Sequence, residues 1–223
     1  MADKAIQSAP PRASDLHSMR HAATLTLRGI ACARGGRTLF EGLDLDLPPG
    51  GALRLLGPNG SGKTSLLRLL AGLLPPAEGA VALEGAGDGP MRLRVHLLSH
   101  LDAIKPSLTV SGALAFWCAY LGGREARETG AILSRVGLDH VAGARCGDLS
   151  AGQRRRLALA RVIALPRPLW LLDEPTAALD AEGQGLLERV IAAHRAEGGL
   201  VVAATHLPLD LPGARTLRLD VAA

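Results

Sequence analysis

Residues 57–64 form a glycine-rich segment whose residue types suit the binding of nucleotide phosphates. Glycines let backbone N–H groups approach phosphate oxygens closely, because they carry no Cβ atom. A helix that begins directly after the segment would direct its positive end at the same anion. The lysine would reach the β- and γ-phosphates, and the threonine hydroxyl would bind Mg²⁺. The predicted phosphate-binding residues are Gly57, Pro58, Asn59, Gly60, Ser61, Gly62, Lys63 and Thr64.

Two apolar runs, residues 169–172 and 200–204, predict buried strands that end next to polar side chains. Ligands of open α/β sheets bind at the carboxyl ends of the strands. Asp173 suits Mg²⁺, since hard cations prefer carboxylate oxygens, and Glu174 could accept a proton from the water that attacks the γ-phosphate. His206 could hydrogen-bond the γ-phosphate and help to hold that water. A solvated acidic loop is the alternative interpretation of the acidic pair.

The segment 149–153 opens a predicted helix, with Ser150 as its N-cap. On its own the segment indicates only a capped helix start. The run Arg154-Arg155-Arg156 follows it, and on a helix these side chains would point in different directions. We therefore expect a solvated surface there rather than a nucleic-acid site.

The elements that would position these residues alternate between strands and helices. Such alternation predicts an α/β protein with a mostly parallel sheet and helices on both faces. Residues 109–136 predict a helical insertion, in which Phe116, Trp117 and Tyr120 would pack or contact a partner. Strands are predicted at 23–33, 43–47, 52–56, 79–84, 93–98, 169–172, 200–204 and 215–219, and further helices at 61–74, 151–165 and 181–197.

Composition restricts the class of protein. The 223 residues suit one domain, or one domain with a small subdomain. The net charge of +4 is modest, and three widely spaced cysteines fit a reducing compartment better than a disulfide framework. No apolar run approaches the roughly 20 residues of a membrane helix, so a membrane link would come through a partner. Residues 1–22 are polar and predict a disordered tail.

Together these motifs resemble the nucleotide-binding domains of ABC transporters over residues 25–220. The resemblance is carried by GPNGSGKT, LSAGQ, LWLLDE, PTAALD with Asp180, and ATH with His206. It implies a P-loop NTPase fold over residues 23–223, with a RecA-like core, an N-terminal antiparallel β subdomain and an inserted α-helical subdomain at about 99–150. It also implies ATP and Mg²⁺ as cofactors.

The resemblance further implies a head-to-tail dimer that encloses two ATP molecules. Each ATP would lie between the phosphate loop of one copy and the signature segment of the other. A glycine and a helix start at the γ-phosphate are physically suited to this contact. The signature residues are Leu149, Ser150, Ala151, Gly152 and Gln153, and Asp180 would form the D-loop.

A closer resemblance is to the ATPase subunit of the cytochrome c maturation system, the haem exporter. The segments LSAGQRRRLALARV, PLWLLDEPTAALD, THLPL and LTVSGALAFW carry it. It implies integral-membrane partner subunits and a peripheral location on the cytoplasmic side of the bacterial inner membrane. The alternatives are another small ABC export system, a nucleotide sensor without turnover, or a soluble ABC ATPase acting on nucleic acid. We expect no nucleic-acid partner, because the additional modules of such ATPases are missing from the sequence.

Two positions depart from the family pattern. A glutamine is expected between the phosphate loop and the signature, but Leu101 occupies its place between His100 and Asp102. Arg34 stands where many members carry an aromatic ring against adenine, and it could stack on the purine or remain solvated. His96 and His100 lie four residues apart, and we do not expect them to bind haem or a metal.

Overall fold

The computed structural model describes residues 22–99, 104–121 and 128–220. The predicted tail, apart from Ala22, therefore lies outside the described residues. In chain order, the elements are β1 (Thr24–Arg34), β2 (Arg37–Leu47), β3 (Ala52–Leu56), α1 (Lys63–Leu70), β4 (Glu78–Glu84), β5 (Val95–Leu98), α2 (Val110–Leu121), α3 (Thr129–Arg135), α4 (Ala151–Ala164), β6 (Leu169–Asp173), α5 (Ala181–Ala196), β7 (Leu200–Ala204) and β8 (Arg215–Arg218), with short 3₁₀ turns between them.

Two separate sheets form. Three antiparallel strands lie in the order β2-β1-β4, and five parallel strands lie in the order β5-β6-β7-β3-β8. Every residue of β6 and β7 is buried, as expected for strands covered on both faces. Since all five strands run in one direction, the residues that follow β3, β6 and β7 meet at one edge of the sheet.

The parallel sheet separates two hydrophobic cores, and neighbouring residues of β6 point into different ones. Leu171 packs in a core with the antiparallel sheet and α1, whereas Leu172 packs in a core with α4 and α5 on the opposite face. A third core joins α2, α3 and α4. The predicted α/β fold class, with helices on both faces of a parallel sheet beside an antiparallel one, is confirmed.

Most predicted elements form close to their expected bounds, but α1 is shorter than the predicted helix at 61–74. Gly72 adopts φ 69° after the helix, and the Leu73 N–H donates to the Arg68 carbonyl at 2.9 Å, which closes the last turn. A helix running to residue 74 would have turned Leu73 toward the core, but Leu73 is 60% exposed.

One other predicted element differs from the structure. The strand expected at 43–47 begins at Arg37, because Gly35 and Gly36 adopt φ 59° and 76° and connect it to β1 in a tight hairpin. Within the predicted helical insertion, the described residues form the helices α2 and α3. In the part of the chain that the structure describes, we find no helix with the length and apolarity needed to cross a bilayer.

Candidate active site

The glycine-rich loop connects β3 to α1 at the carboxyl edge of the parallel sheet. Gly57 has φ 146°, and a Cβ there would lie 2.1 Å from the Leu219 carbonyl oxygen. The backbone just after β8 therefore lies too close to Gly57 for any side chain at this position. Gly62 has φ 96°, and its Cβ would lie 3.1 Å from the Phe40 ring. Both glycines are required by local geometry as well as by phosphate access.

The loop forms one wall of a cleft with a volume of about 480 Å³, a size suited to a small-molecule ligand. Ser61 is buried beneath this wall, and Gly57 and Pro58 do not line the cleft. The lining includes Asn59, Gly60, Gly62, Lys63 and Thr64 from the loop and α1, Asp173 and Glu174 from the end of β6, and Arg34, Gly35 and Leu39 from the β1–β2 hairpin. The structure thus brings together the residues predicted for phosphate, metal and base.

Two polar side chains of this segment, Lys63 and Thr64, hydrogen-bond to other protein atoms. The Thr64 hydroxyl donates to Asp173 Oδ2 at 2.9 Å. Lys63 Nζ donates to the carbonyl oxygens of Gly57 at 2.6 Å and Pro58 at 2.9 Å. A hydroxyl and one carboxylate are a donor set that fits Mg²⁺, which commonly binds one or two carboxylates and completes its shell with water and phosphate oxygens.

Glu174 and His206 form a pair at the ends of the neighbouring strands β6 and β7. Glu174 Oε1 lies 2.9 Å from His206 Nδ1, and the His206 N–H donates to Oε2 at 3.4 Å. Glu174 adopts φ 47°, a left-handed conformation that costs a side-chain-bearing residue about 1–2 kcal/mol. Its own N–H donates to the Ala204 carbonyl at 2.8 Å. A strained backbone thus presents a carboxylate to the cleft and to a histidine.

The signature segment lies in a second cleft of about 490 Å³, which it shares with Asp180. Ser150 and Gln153 form a capping box, with the Gln153 N–H on Ser150 Oγ at 3.1 Å and the Ser150 N–H on Gln153 Oε1 at 2.9 Å. Ser150, Gly152 and Gln153 line this cleft, Leu149 is buried and Ala151 is exposed. Among the described residues, none lines both clefts. Within one copy, the signature is therefore separate from the phosphate loop.

Asp180 begins α5 as its N-cap. Its Oδ1 accepts the Gly183 N–H at 2.8 Å and a hydrogen bond from the Arg156 guanidinium at 2.9 Å. These two contacts hold the pKa of the Asp180 carboxyl below its usual value, with the backbone N–H as the larger cause. The carboxylate therefore links α4 to α5 beside the signature.

Arg155 is a site residue that sequence analysis missed. The expectation of a solvated arginine run was wrong here, since Arg155 is only 4% exposed. Its guanidinium donates to carbonyl oxygens on both sides of Glu174. Arg155, Ala158, Leu159 and Val162 have the i, i+3, i+4, i+7 spacing of one buried helix face, and this spacing could have identified it.

Arg34 and His96 have contrasting environments. Arg34 ends β1, is exposed and lines the first cleft, a position compatible with either stacking or solvation. His96 is buried in β5, and its Nε2 lies 2.6 Å from the Leu165 carbonyl oxygen, so Nε2 carries the proton. Burial lowers the pKa of His96 to about 3. The Leu101 position, with His100 and Asp102, lies outside the described residues.

Comparisons with known proteins agree with this geometry. The family model described as ABC transporter matches residues 40–177. The cytochrome c biogenesis ATP-binding export protein CcmA of Nitrobacter winogradskyi is 53% identical over 201 residues, which cover 89% of this chain and 99% of that protein. The protein of the same name from Rhodopseudomonas palustris strain BisB18 is 57% identical over 201 residues, with the same coverage.

Solved structures share the fold at lower identity. An ATP-binding protein described as an ABC transporter from Pyrococcus furiosus superposes with a TM-score of 0.74 at 22% identity, covering 88% of this chain and 97% of that one. The cbiO1 protein of Clostridium perfringens, part of the ABC transporter complex cbiONQ, gives a TM-score of 0.68 at 23% identity, covering 82% and 78%. The chain belongs to the ABC transporter family of ATP-binding proteins and, within it, to the group of cytochrome c biogenesis ATP-binding export proteins.

Proposed function

We propose that this chain is the ATP-hydrolysing subunit of a cytochrome c biogenesis export system, in which membrane subunits handle haem or a haem-carrying chaperone. The proposal of ATP hydrolysis rests on one observation: the phosphate loop, Asp173 and the Glu174–His206 pair meet at one edge of the sheet. The biological assignment is supported by relatives of 50% identity or more along most of the chain, all bearing the cytochrome c biogenesis name.

ATP binding would exchange hydrogen bonds within the loop for hydrogen bonds to phosphate. Lys63 Nζ would leave the neutral carbonyl oxygens of Gly57 and Pro58 for charged oxygens of the β- and γ-phosphates, which form stronger hydrogen bonds with an ammonium. Arg34 and Leu39, which line the same cleft from the β1–β2 hairpin, would receive the adenine. Thr64 and Asp173 would hold Mg²⁺, which when bound neutralises charge that develops on the phosphoryl oxygens.

Hydrolysis would rest on the Glu174 carboxylate acting as a general base. Water positioned against the γ-phosphate would transfer a proton to Glu174 as its oxygen attacks phosphorus, and the bond from phosphorus to the β–γ bridging oxygen would break, leaving ADP and phosphate. His206 holds one carboxylate oxygen through Nδ1 and the other through its backbone N–H, which fixes the orientation of the base. Since His206 is largely exposed, its ring is also free to turn toward the γ-phosphate when nucleotide arrives.

A second copy of the chain would complete the site. The signature residues Ser150 and Gly152 lie in a cleft of their own, away from the phosphate loop of the same copy. The capping box leaves the Ser150 hydroxyl exposed at a helix N-terminus, where an anion is favoured. Two copies arranged head to tail would place each signature against the γ-phosphate held by the other, so ATP would join them and hydrolysis would release them.

The membrane subunits would contact the helical segment at about 99–150, which we propose as a subdomain because α2 and α3 pack in a core of their own with α4. The chain holds two Phe, two Trp and one Tyr, and three of these five residues lie on α2. Phe116 and Tyr120 are 52% and 71% exposed, and their rings stack at 5.9 Å. An exposed aromatic pair is typical of a protein contact surface, and we propose that it faces a membrane subunit on the cytoplasmic side of the inner membrane.

The assignment is tested by recovering the partner. Tagged Glu174→Gln protein, held with ATP, would be used to capture proteins from detergent-solubilised membranes of the native host, followed by mass spectrometry. We expect a multi-span membrane protein together with other cytochrome c biogenesis components. The same variant with Phe116→Ala and Tyr120→Ala should recover less of it while binding ATP equally well. Recovery of nucleic acid or soluble proteins alone would overturn the assignment and favour a soluble ABC ATPase.

A further inference from the structure

Arg155 of α4 joins the ends of two neighbouring strands through backbone carbonyls. One terminal nitrogen donates to the Ser99 carbonyl, just after β5, at 2.7 Å. The other donates to the carbonyls of Asp173 at 3.1 Å and Glu174 at 2.7 Å, and Nε donates to that of Pro175 at 3.2 Å. The guanidinium is thus buried against three consecutive peptide units that include the base.

These contacts leave the Glu174 backbone little freedom. Its N–H is held by the Ala204 carbonyl at 2.8 Å, and its own carbonyl is held by Arg155. Glu174 has φ 47°, a conformation that an L-residue keeps only when its surroundings impose it. Since the peptide units before and after Glu174 are both fixed, the direction of its side chain into the cleft is fixed as well.

We propose that Arg155 is a positioning residue for hydrolysis, which holds the left-handed backbone of Glu174 so that the carboxylate faces the attacking water. This inference rests on the proposed function, in which Glu174 is the general base. Arg155 does not line the nucleotide cleft, so it acts on the rate of the chemical step and not on nucleotide binding.

The chemistry requires arginine rather than any cation. A guanidinium is planar and carries five N–H donors in a fixed fork, which lets one group bridge carbonyls on two segments. An ammonium is a compact point charge on a flexible stem, and it cannot reach Ser99 and Pro175 together in the same geometry. Lysine at this position would therefore preserve charge and lose the bridge.

Arg155→Lys is the principal test, measured as steady-state ATP hydrolysis by the full chain with Mg²⁺. We expect kcat to fall about tenfold to a hundredfold, the scale of a misplaced catalytic group, with KM and ATP affinity within about twofold of the wild type. Arg195→Lys is the matched control. Arg195 also bridges two segments, through the carbonyls of Gly50 and Pro212, but at the opposite edge of the parallel sheet, and it should retain wild-type kcat.

A second readout separates positioning from a general loss of structure. In the Glu174→Gln background there is no base to position, so adding Arg155→Lys should change single-turnover cleavage of radiolabelled ATP by less than about twofold. A loss that multiplies with that of Glu174→Gln would overturn the proposal, and so would unchanged kcat in the single variant. Unchanged turnover in Glu174→Gln alone would instead refute the proposed base.

Arg155→Gln covers the case in which the lysine variant does not fold. It removes the buried charge, so no unpaired ammonium is left in the interior, while its amide can reach only one of the two segments. We expect the same fall in kcat with preserved ATP affinity. Failure of both variants to fold would overturn the proposal, because the contact would then serve the stability of the whole chain.

Discussion

His96 should make this protein less stable as the pH falls below neutrality. Its side chain is 4% exposed, and its pKa in the folded chain is lowered to about 3 by burial. In the unfolded chain a histidine titrates near a pKa of roughly 6.5. His96 therefore stays neutral at pH 5 in the folded chain, whereas it gains a proton at that pH in the unfolded chain.

The sign and size follow from this difference. A group whose pKa is depressed on folding contributes stability above its unfolded pKa, and this contribution is lost as pH falls toward its folded pKa. Each pH unit below about 6.5 costs about 1.4 kcal/mol, so the 1.5 units to pH 5 lower the free energy of unfolding by about 2 kcal/mol relative to pH 7.5. His96→Gln removes the titration and keeps a donor for the Leu165 carbonyl.

The assay is urea-induced unfolding of both proteins at pH 7.5 and pH 5.0. The wild type should lose about 2 kcal/mol more than His96→Gln between the two pH values. His140→Gln, which replaces an exposed histidine, serves as the control and should follow the wild type. Equal pH dependence in the wild type and His96→Gln would refute the reasoning, because it would mean that His96 takes up a proton without unfolding.

Two further predictions concern the phosphate loop. Lys63→Ala should weaken ATP binding at least tenfold in a fluorescence titration, because it removes the loop's charged phosphate contact, and unchanged affinity would contradict the binding mode. Gly57→Ala should lower the melting temperature by about 5 °C or more, since its Cβ would overlap the Leu219 carbonyl. Gly213→Ala, at φ 68° with open space around the new methyl group, should lower the melting temperature less. An equal decrease in the two variants would indicate that the left-handed backbone conformation, and not the clash with Leu219, causes the loss of stability.

The central strands and the loop between β3 and α1 could be predicted because their signals are local. The apolar runs that became β6 and β7 needed only continuity and length, and both strands are fully buried. The glycine-rich loop needed only its residue types and its place between a strand and a helix. Glu174 and His206 were each assigned to the attacking water because they follow predicted strands, and in the structure they pair because β6 and β7 are parallel neighbours.

Other features depend on tertiary contacts that a local pattern does not contain. Arg155 is a charged residue on a helix start, and its burial is compensated by carbonyls from segments 18 to 56 positions away in the chain. Leu73 belongs to an apolar run, yet Gly72 ends α1 before that leucine can reach the core. The separation of the signature from the phosphate loop is likewise a property of the folded chain.

The most direct test of the account is ATP turnover by purified Glu174→Gln protein with Mg²⁺. We expect wild-type protein to release phosphate over many turnovers, and the variant to bind ATP normally while turnover falls by about two orders of magnitude or more, the effect of a lost general base. Glu197→Gln, an exposed carboxylate beyond α5, should behave as wild type. Turnover by Glu174→Gln at the wild-type rate would contradict the account. ATP hydrolysis would then not take place at the edge of the sheet where the loop, Asp173 and Glu174 meet.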